Sequence, residues 1–380
     1  MLDQRWINLI AAIAAITVFG FALGLMFPLL SLIMEKDGIA PNVIGYNTAM
    51  QPLGILISGF VVSRAVKRWG AKTVVIGAAI LCAAIVLAYP CLPIAPWWFV
   101  LRIIQGFAVS TLFSVSEAWV VRFAAGRYRS RILALYTAVL SVSFAGGPAI
   151  IVWTGIDGVL PFAIGAAVLA AATAPMFLLK DSLSNAEDAS VAMSIASFAP
   201  KAPILLAAVC MFAIIDAANL GFLPVYGVKK GMDRETASLA LTAFIIGNSV
   251  LQFPIGWLAD HMNKRTVMAG CGVVTALGSA LIPSSFETLL LWPALLITGA
   301  ASAGIYTVAL SDLGDRFTGT ELVSGTASFA TMWGLGALLG ALLAGWSFQA
   351  FGPDGLPYTL AVLFAAFILA MTGARAVRWA

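Results

Sequence analysis

The feature that most constrains this chain is its recurrent long, uncharged apolar runs, the first being "INLIAAIAAITVFGFALGLMFPLLSLIM" at residues 7–34. A helix needs about 20 apolar residues to cross bilayer hydrocarbon, and this run exceeds that length. It also exceeds the apolar core of about 7–15 residues in a cleaved leader, so it reads as a retained first span. The whole chain fits the same environment: 61% of its 380 residues are hydrophobic and 10% are charged, whereas a water-soluble domain carries roughly a quarter charged residues. Strand-type alternation is absent. The expected spans are therefore helices that satisfy their own backbone hydrogen bonds, and a membrane barrel is excluded.

Twelve helical spans are predicted, over residues 5–34, 42–66, 71–90, 96–121, 130–155, 158–179, 201–228, 234–260, 264–283, 286–312, 320–350 and 356–376. The acidic, serine-rich "KDSLSNAEDAS" at residues 180–190 parts them six and six. This predicts an N-terminal bundle over 1–179, a cytoplasmic linker over 180–200 and a C-terminal bundle over 201–380. Placing the N-terminus inside puts sixteen of the 21 basic residues on the cytoplasmic side, among them Arg64, Lys67, Arg68, Lys72, Lys264 and Arg265. Only Lys36, Lys229, Lys230 and Arg234 fall outside, and Arg102 lies within a span. The imbalance predicts that both termini are cytoplasmic.

Two inside loops stand out. "GFVVSRAVKRWGAK" (residues 59–72) carries four positive charges and no acid, and "GWLADHMNKR" begins at Gly256. A shift of 197 places Gly59 on Gly256, Ser63 on Asp260, Lys67 on Lys264 and Arg68 on Arg265, and a shift of 196 places Pro28 on Pro224. Two copies of one six-helix unit explain this economically. The basic loops alone would be topology anchors; the repeat adds a structural role.

With these residues the chain resembles the major facilitator superfamily of secondary transporters, whose loop signature G-x-x-x-D-R-x-G-R-[RK] is matched by "GFVVSRAVKR" and more fully by "GWLADHMNKR". A fourth-span signature, R-x-x-Q-G, stands as "RIIQG" (Arg102, Gln105, Gly106). The drug-antiporter pattern G-x-x-x-G-P-x-x-G-G survives in part as "SFAGGPAIIV", with Ser143 in place of the first glycine. The strings "SEAWVVRF", "IYTVALSDLGDRF" and "GLGALLGALLAG" resemble the bacterial YcaD-like branch. The resemblance implies an all-α membrane fold of two pseudo-symmetric six-helix bundles around a central cavity, in a bacterial inner membrane, acting by alternating access as a monomer. It also implies gating roles for Gly59, Ser63, Arg64, Lys67 and Arg68 and for Gly256, Asp260, Lys264 and Arg265. The two glycines are expected to permit close helix approach. Ser63 in place of an acid predicts a weaker first latch, while Asp260 is expected near the start of the fifth span, around Arg129 to Arg131. The bland alternative for Asp260 is a surface ion pair of about 0–1 kcal/mol.

Ionisable groups inside the hydrocarbon mark pathways. Arg102 and Glu117 lie 15 residues apart on one stripe of the fourth span, with Gln105, Gly106, Phe113 and Ser116 beside it. Arg102 is read as holding an anion or tuning a nearby carboxylate, or else as a hydrogen-bond anchor to backbone carbonyls or an interfacial snorkelling side chain. Glu117 is read as a proton-coupling group or as an interfacial partner of Arg122. Asp216 lies about 20 Å into the seventh span, with no basic residue within four positions. It is read as a proton carrier, or as a protonated carboxyl bonded to a neighbouring helix. Since spans one, four, seven and ten line the path in the resemblance, Thr17, Phe21, Arg102, Gln105, Asp216, Asn219, Thr298, Ser302 and Tyr306 are the candidate substrate-binding residues. Phe27, Phe113, Phe222 and Trp333 are read as an apolar wall or as core and lipid-facing packing, and Asn248 with Gln252 as a gate or an interhelical tie.

Other chemistry finds no support. A Gly-rich phosphate loop ending in Lys-Ser/Thr is absent, His261 is the single histidine, and four scattered cysteines lack C-x-x-C spacing. No cofactor, metal site or enzymatic activity is expected. Net charge of +4 is explained by membrane orientation and gives no basis for nucleic-acid binding. The expected partners are a small-molecule solute, protons and the bilayer. The leading reading is proton-coupled export by antiport; the rivals are proton-symport uptake of an organic anion held by Arg102, and a non-transporting receptor or assembly factor on the same fold.

Overall fold

The computed structural model describes residues 4–123, 129–178, 198–286 and 288–373. Each long apolar run becomes helix, and no strand occurs among the described residues. The first half supplies α1 (Gln4–Lys36), α2 (Pro41–Trp69), α3 (Ala71–Ala88), α4 (Phe99–Phe123), α5 (Arg129–Thr154) and α6 (Leu160–Thr173). The second supplies α7 (Pro203–Lys229), α8 (Arg234–Val250), α9 (Gln252–His261), α10 (Lys264–Ser285), α11 (Leu291–Arg316), α12 (Gly319–Phe351) and α13 (Gly355–Gly373). Among the described residues, twelve stretches are long and apolar enough to cross a membrane, α8 and α9 together forming one. Residues 180–197 of the expected linker lie outside the described residues.

Proline accounts for the departures from the predicted spans. The eighth span was expected to run unbroken over 234–260; it is interrupted at Leu251, because Pro254 offers no N–H to the Val250 carbonyl. The fourth span opens with a π-helical turn, Ile94–Trp98, around Pro96. The Trp98 indole fastens that turn by donating to the carbonyls of Tyr89 and Leu92 at 3.1 and 3.2 Å. The sixth span tightens into a 3₁₀ turn, Ala174–Leu178, at Pro175. Between α2 and α3 the chain turns on Gly70 alone, whose φ of 79° a residue with a Cβ rarely adopts. Asp233 caps α8, accepting from the Thr236 amide and hydroxyl at 2.7 and 2.8 Å; those bonds hold its carboxyl below the ordinary range.

Two contact units result: Met1–Ile39 with Met50–Ala189, and Ala40–Ala49 with Ser190–Ala380. The start of α2 therefore groups with the second unit, where a Cβ on Gly45 would lie 2.8 Å from the Gly345 Cα. The expected boundary had placed all of α2 in the first bundle.

Inside each unit, helices meet where glycine removes the Cβ. In the first, α1 crosses α5 at Gly24 and Gly147, and α2 crosses α4 at Gly54 and Gly106. A Cβ at any of these would overlap backbone of the facing helix. In the second, α8 crosses α11 at Gly247 and Gly299, and α12 presses Gly336 and Gly340 onto the Cys210 and Ile214 carbonyls of α7. Gly247 and Gly299 each follow their first-half counterparts, Gly54 and Gly106, by 193 positions, and Gly340 follows Gly147 by the same interval. Packing thus repeats the sequence duplication. Such contacts matter because lipid is as apolar as leucine and supplies no hydrophobic drive between helices.

Adjacent glycines test this. Gly147→Ala is expected to destabilise the protein by about 1–3 kcal/mol or more through overpacking against α1. Gly146→Ala, whose added Cβ would meet only Phe21 at 3.8 Å, should be neutral or gain a few tenths up to about 1 kcal/mol in helix propensity. Thermal unfolding in detergent reads the difference; equal shifts would contradict the packing argument.

Candidate functional site

The first unit holds a buried polar cluster built by the α2–α4 crossing. Gly106 brings the two backbones together at Gln51, and one turn earlier on α4 stands Arg102. Arg102 is 0% exposed. One guanidinium nitrogen donates to Gln51 Oε1 at 2.9 Å and another to the Met26 carbonyl of α1 at 3.4 Å. The cation lies 5.1 Å from the Phe27 ring centroid. A buried guanidinium is tolerable only when its donors are engaged, and here three helices are tied by that requirement. Gln105 is buried beside it and accepts from the Tyr89 hydroxyl at 3.2 Å. Of the readings left open for Arg102, these contacts are those of a hydrogen-bond anchor, to a side-chain amide as well as a backbone carbonyl, and full burial is not that of a snorkelling side chain.

The other first-unit candidates do not join this cluster through any hydrogen bond among those described. Thr17 donates to the Ile13 carbonyl of its own helix at 2.9 Å. Phe21 is buried near Gly146, and Phe113 packs on Phe19 with centroids 4.9 Å apart. Glu117 is exposed on α4. Its expected partner Arg122 has a side chain outside the described residues.

The second unit holds Asp216 on α7, 9% exposed. The Asn248 amide of α8 donates to Asp216 Oδ1 at 3.2 Å, and no ion pair reaches this carboxyl among the described residues. Asn248 is placed by the glycine crossing: it follows Gly247 directly, and a Cβ on Gly299 would come within 3.0 Å of its Oδ1. Four residues on, beyond the Leu251 break, Gln252 donates to the Ala300 carbonyl at 3.2 Å and accepts from the Thr307 hydroxyl at 2.7 Å. The two amides flanking the break thus tie α8 to α7 and α9 to α11.

Asn219 donates to the Ile215 carbonyl of its own helix at 2.9 Å and lines a cavity of about 10 Å³ with Tyr226 and Ser279. That space is of single-water size and excludes an organic solute. Thr298 and Ser302 are buried and donate to carbonyls of α11 at 2.6 and 2.8 Å. The Tyr306 ring, half-buried, stands between Phe212 and Phe329 at 5.4 and 6.4 Å. Phe222 packs on Phe348, and Trp333 covers Ala213, Ala217 and Ala337.

The loop copies differ in surroundings. The expectation that Gly59 and Gly256 bring helices close is corrected: nothing lies within 4 Å of a Cβ built on either. Close approach falls instead to Gly54 and Gly247, earlier on the same spans, where helices cross near their middles. Ser63, Arg64, Lys67 and Arg68 are exposed, and the three basic residues make no ion pair among the described residues. In the second copy, Lys264 pairs with Asp315 and Arg265 donates to the Met371 carbonyl. Asp260 is exposed. Its expected meeting with Arg129 to Arg131 lies outside the described residues.

Three partners escaped the sequence reading: Gln51, Tyr89 and Thr307. Gln51 carried a usable signal, a lone amide in the apolar run "TAMQPLG"; Tyr89 and Thr307 carried none. The Arg102 geometry is testable by a double-mutant cycle on thermal stability. Gln51→Leu should cost about 1–3 kcal/mol by stripping an acceptor from a buried cation. Adding Arg102→Met should restore part of that loss, because the unpaired charge goes too; additive losses would contradict the contact.

Comparison with known proteins agrees with this architecture. A sequence model described as Major Facilitator Superfamily matches residues 12–237 and 205–378. The chain is 23% identical over 373 residues to the "Uncharacterized MFS-type transporter YfkF" of Bacillus subtilis (strain 168), covering 96% of this chain and 94% of that protein. It is 25% identical over 260 residues to the "Uncharacterized MFS-type transporter YcaD" of Shigella flexneri, covering 68% and 67%. Among solved structures, the nucleoside transporter NupG aligns with a TM-score of 0.80 at 14% identity, over 99% of this chain and 100% of that one. A D-xylose-proton symporter aligns with a TM-score of 0.77 at 14% identity, over 97% of each. The helical fold, the duplicated packing and the family match together place this chain in the Major Facilitator Superfamily, as a multi-pass membrane transporter and not an enzyme.

Proposed function

We propose that this transporter is proton-coupled and exports a small organic solute by antiport, working by alternating access as a monomer in the bacterial inner membrane with both termini cytoplasmic. The observation that carries this reading is the Asp216–Asn248 pair. A carboxyl sits far inside a membrane span, 9% exposed, with a neutral amide as its hydrogen-bond partner and no cation paired with it among the described residues. An isolated carboxylate is costly to hold there, and a bound proton removes that cost. A group so placed is suited to load a proton when water reaches it and to keep it otherwise.

The orientation rests on the imbalance of basic residues. Of the antiporter pattern on α5 only Gly147 and Pro148 stand, with Ser143 in place of the first glycine and Ile151 and Val152 in place of the last pair, so export is the part of this proposal that the pattern supports least. Arg102 enters as a structural tie. Its guanidinium is sealed by Gln51, Met26 and Phe27, which gives the organic-anion reading less support. Ser302 and Tyr306 remain proposed solute contacts on α11, with Thr17, Phe21 and Gln105 proposed on α1 and α4. Asp260 is proposed as the charged latch residue and Ser63 as its weaker counterpart.

A thermal-shift screen of the purified protein against metabolites and cationic dyes would supply a ligand, because binding to the folded state raises apparent stability. With that ligand in proteoliposomes, an imposed pH gradient should drive its flux in the wild type. Asp216→Asn should lower gradient-driven flux by about tenfold or more while leaving exchange without a gradient largely intact. Undiminished coupling in the variant would defeat the proton role, and gradient-independent flux in the wild type would defeat coupling altogether.

A further inference from the structure

We propose that the first unit carries a binding site for one anionic phospholipid, with an acyl chain seated in a groove between α2, α3 and α4 and the headgroup phosphate held by Arg64 and Arg68. The groove has a volume of about 410 Å³. Ala65 and Trp69 form its α2 wall, Thr73, Gly77 and Leu81 its α3 wall, and Ala108 belongs to α4. It is recessed because small residues replace bulk: nothing lies within 4 Å of a Cβ built on Gly77. From Thr73 to Leu81 it follows α3 for about 12 Å of helix rise, starting at the α2–α3 loop. A recess this apolar does not hold water, and in a bilayer an acyl chain is the material at hand.

The end of the groove specifies the headgroup. Trp69 is 59% exposed there, as an interfacial tryptophan would be, and the Arg68 guanidinium stands 5.5 Å from its ring centroid. Arg64 lies one turn back on α2, exposed, and residues 59–72 contain no acid. The duplicated loop sharpens the argument. In the second copy, an acid, Asp260, stands within the loop itself, Lys264 pairs with Asp315 at the end of α11, and Arg265 is bonded to the Met371 carbonyl. In the first copy, Arg64, Lys67 and Arg68 have no ion pair among the described residues. Basic clusters at the membrane end of a helix attract anionic headgroups, and here the cluster adjoins a place for the tail.

The test uses the full-length protein in detergent, titrated with dioleoyl phosphatidylglycerol or dioleoyl phosphatidylcholine, with bound lipid read by native mass spectrometry. The wild type should retain one phosphatidylglycerol in clear preference to phosphatidylcholine. Arg64→Ala with Arg68→Ala should lower that preference by about fivefold per arginine removed. Gly77→Leu, which fills the groove from a position with open space, should weaken both lipids together without lowering the melting temperature. Equal retention of the two lipids by the wild type, or undiminished phosphatidylglycerol binding in Gly77→Leu, would overturn the proposal. So would displacement of the lipid by glycerol phosphate, which would mark a soluble-anion site, or a dimer mass abolished by Gly77→Leu, which would mark a second copy as the occupant.

Discussion

Backbone meeting backbone at glycine is the interaction on which the rest of this structure depends. In water, burying apolar side chains would hold the helices together; in lipid that drive is missing, and close contact must take its place. The crossings at Gly54 with Gly106 and at Gly247 with Gly299 hold helices together, and they also set what stands opposite what. Gly106 puts Gln51 within 2.9 Å of Arg102, and the second crossing puts Asn248 within 3.2 Å of Asp216. Each polar tie inside the membrane is thus a consequence of a glycine a few residues away.

The repeated frame carries unlike chemistry. The first unit buries a cation and surrounds it with neutral acceptors and an aromatic face, so the charge is permanently accommodated. The second buries a carboxyl with one neutral donor, an arrangement that suits a group whose charge comes and goes. The α2–α3 loop and its counterpart before α10 diverge in the same way. One presents arginines with no ion pair among the described residues, and the other pairs Lys264 with Asp315 at the end of α11 and bonds Arg265 to the Met371 carbonyl. Duplication supplied a scaffold, and divergence divided the roles.

Much of the fold was legible in the sequence because hydrocarbon thickness and backbone satisfaction leave few choices: the twelve spans emerge within a few residues of their predicted ends. The break at Leu251 was missed because Pro254 lies within an apolar run that reads as continuous. Contacts group Ala40–Ala49 with the second unit through approaches such as Gly45 to Gly345 and Thr48 to Gly221, which no local pattern announces. Among site residues, Asp216 and Arg102 were found as charges in hydrocarbon, but their partners were not, because which amide faces which charge is decided by helix crossings. Gly59 and Gly256 show the converse error. A glycine within a signature was taken for a packing glycine, while the packing fell to others.

Asp216 is proposed to change protonation while hydrogen-bonded to Asn248. Infrared difference spectroscopy of the protein in lipid, comparing about pH 5 with about pH 9, tests it without any solute, since that span covers the range over which buried carboxyls titrate. A carboxylic-acid C=O band should disappear at high pH, be missing in Asp216→Asn, and move to higher frequency in Asn248→Leu as its hydrogen bond is lost. A titrating band unaffected by Asp216→Asn, or no titrating band at all, would contradict it.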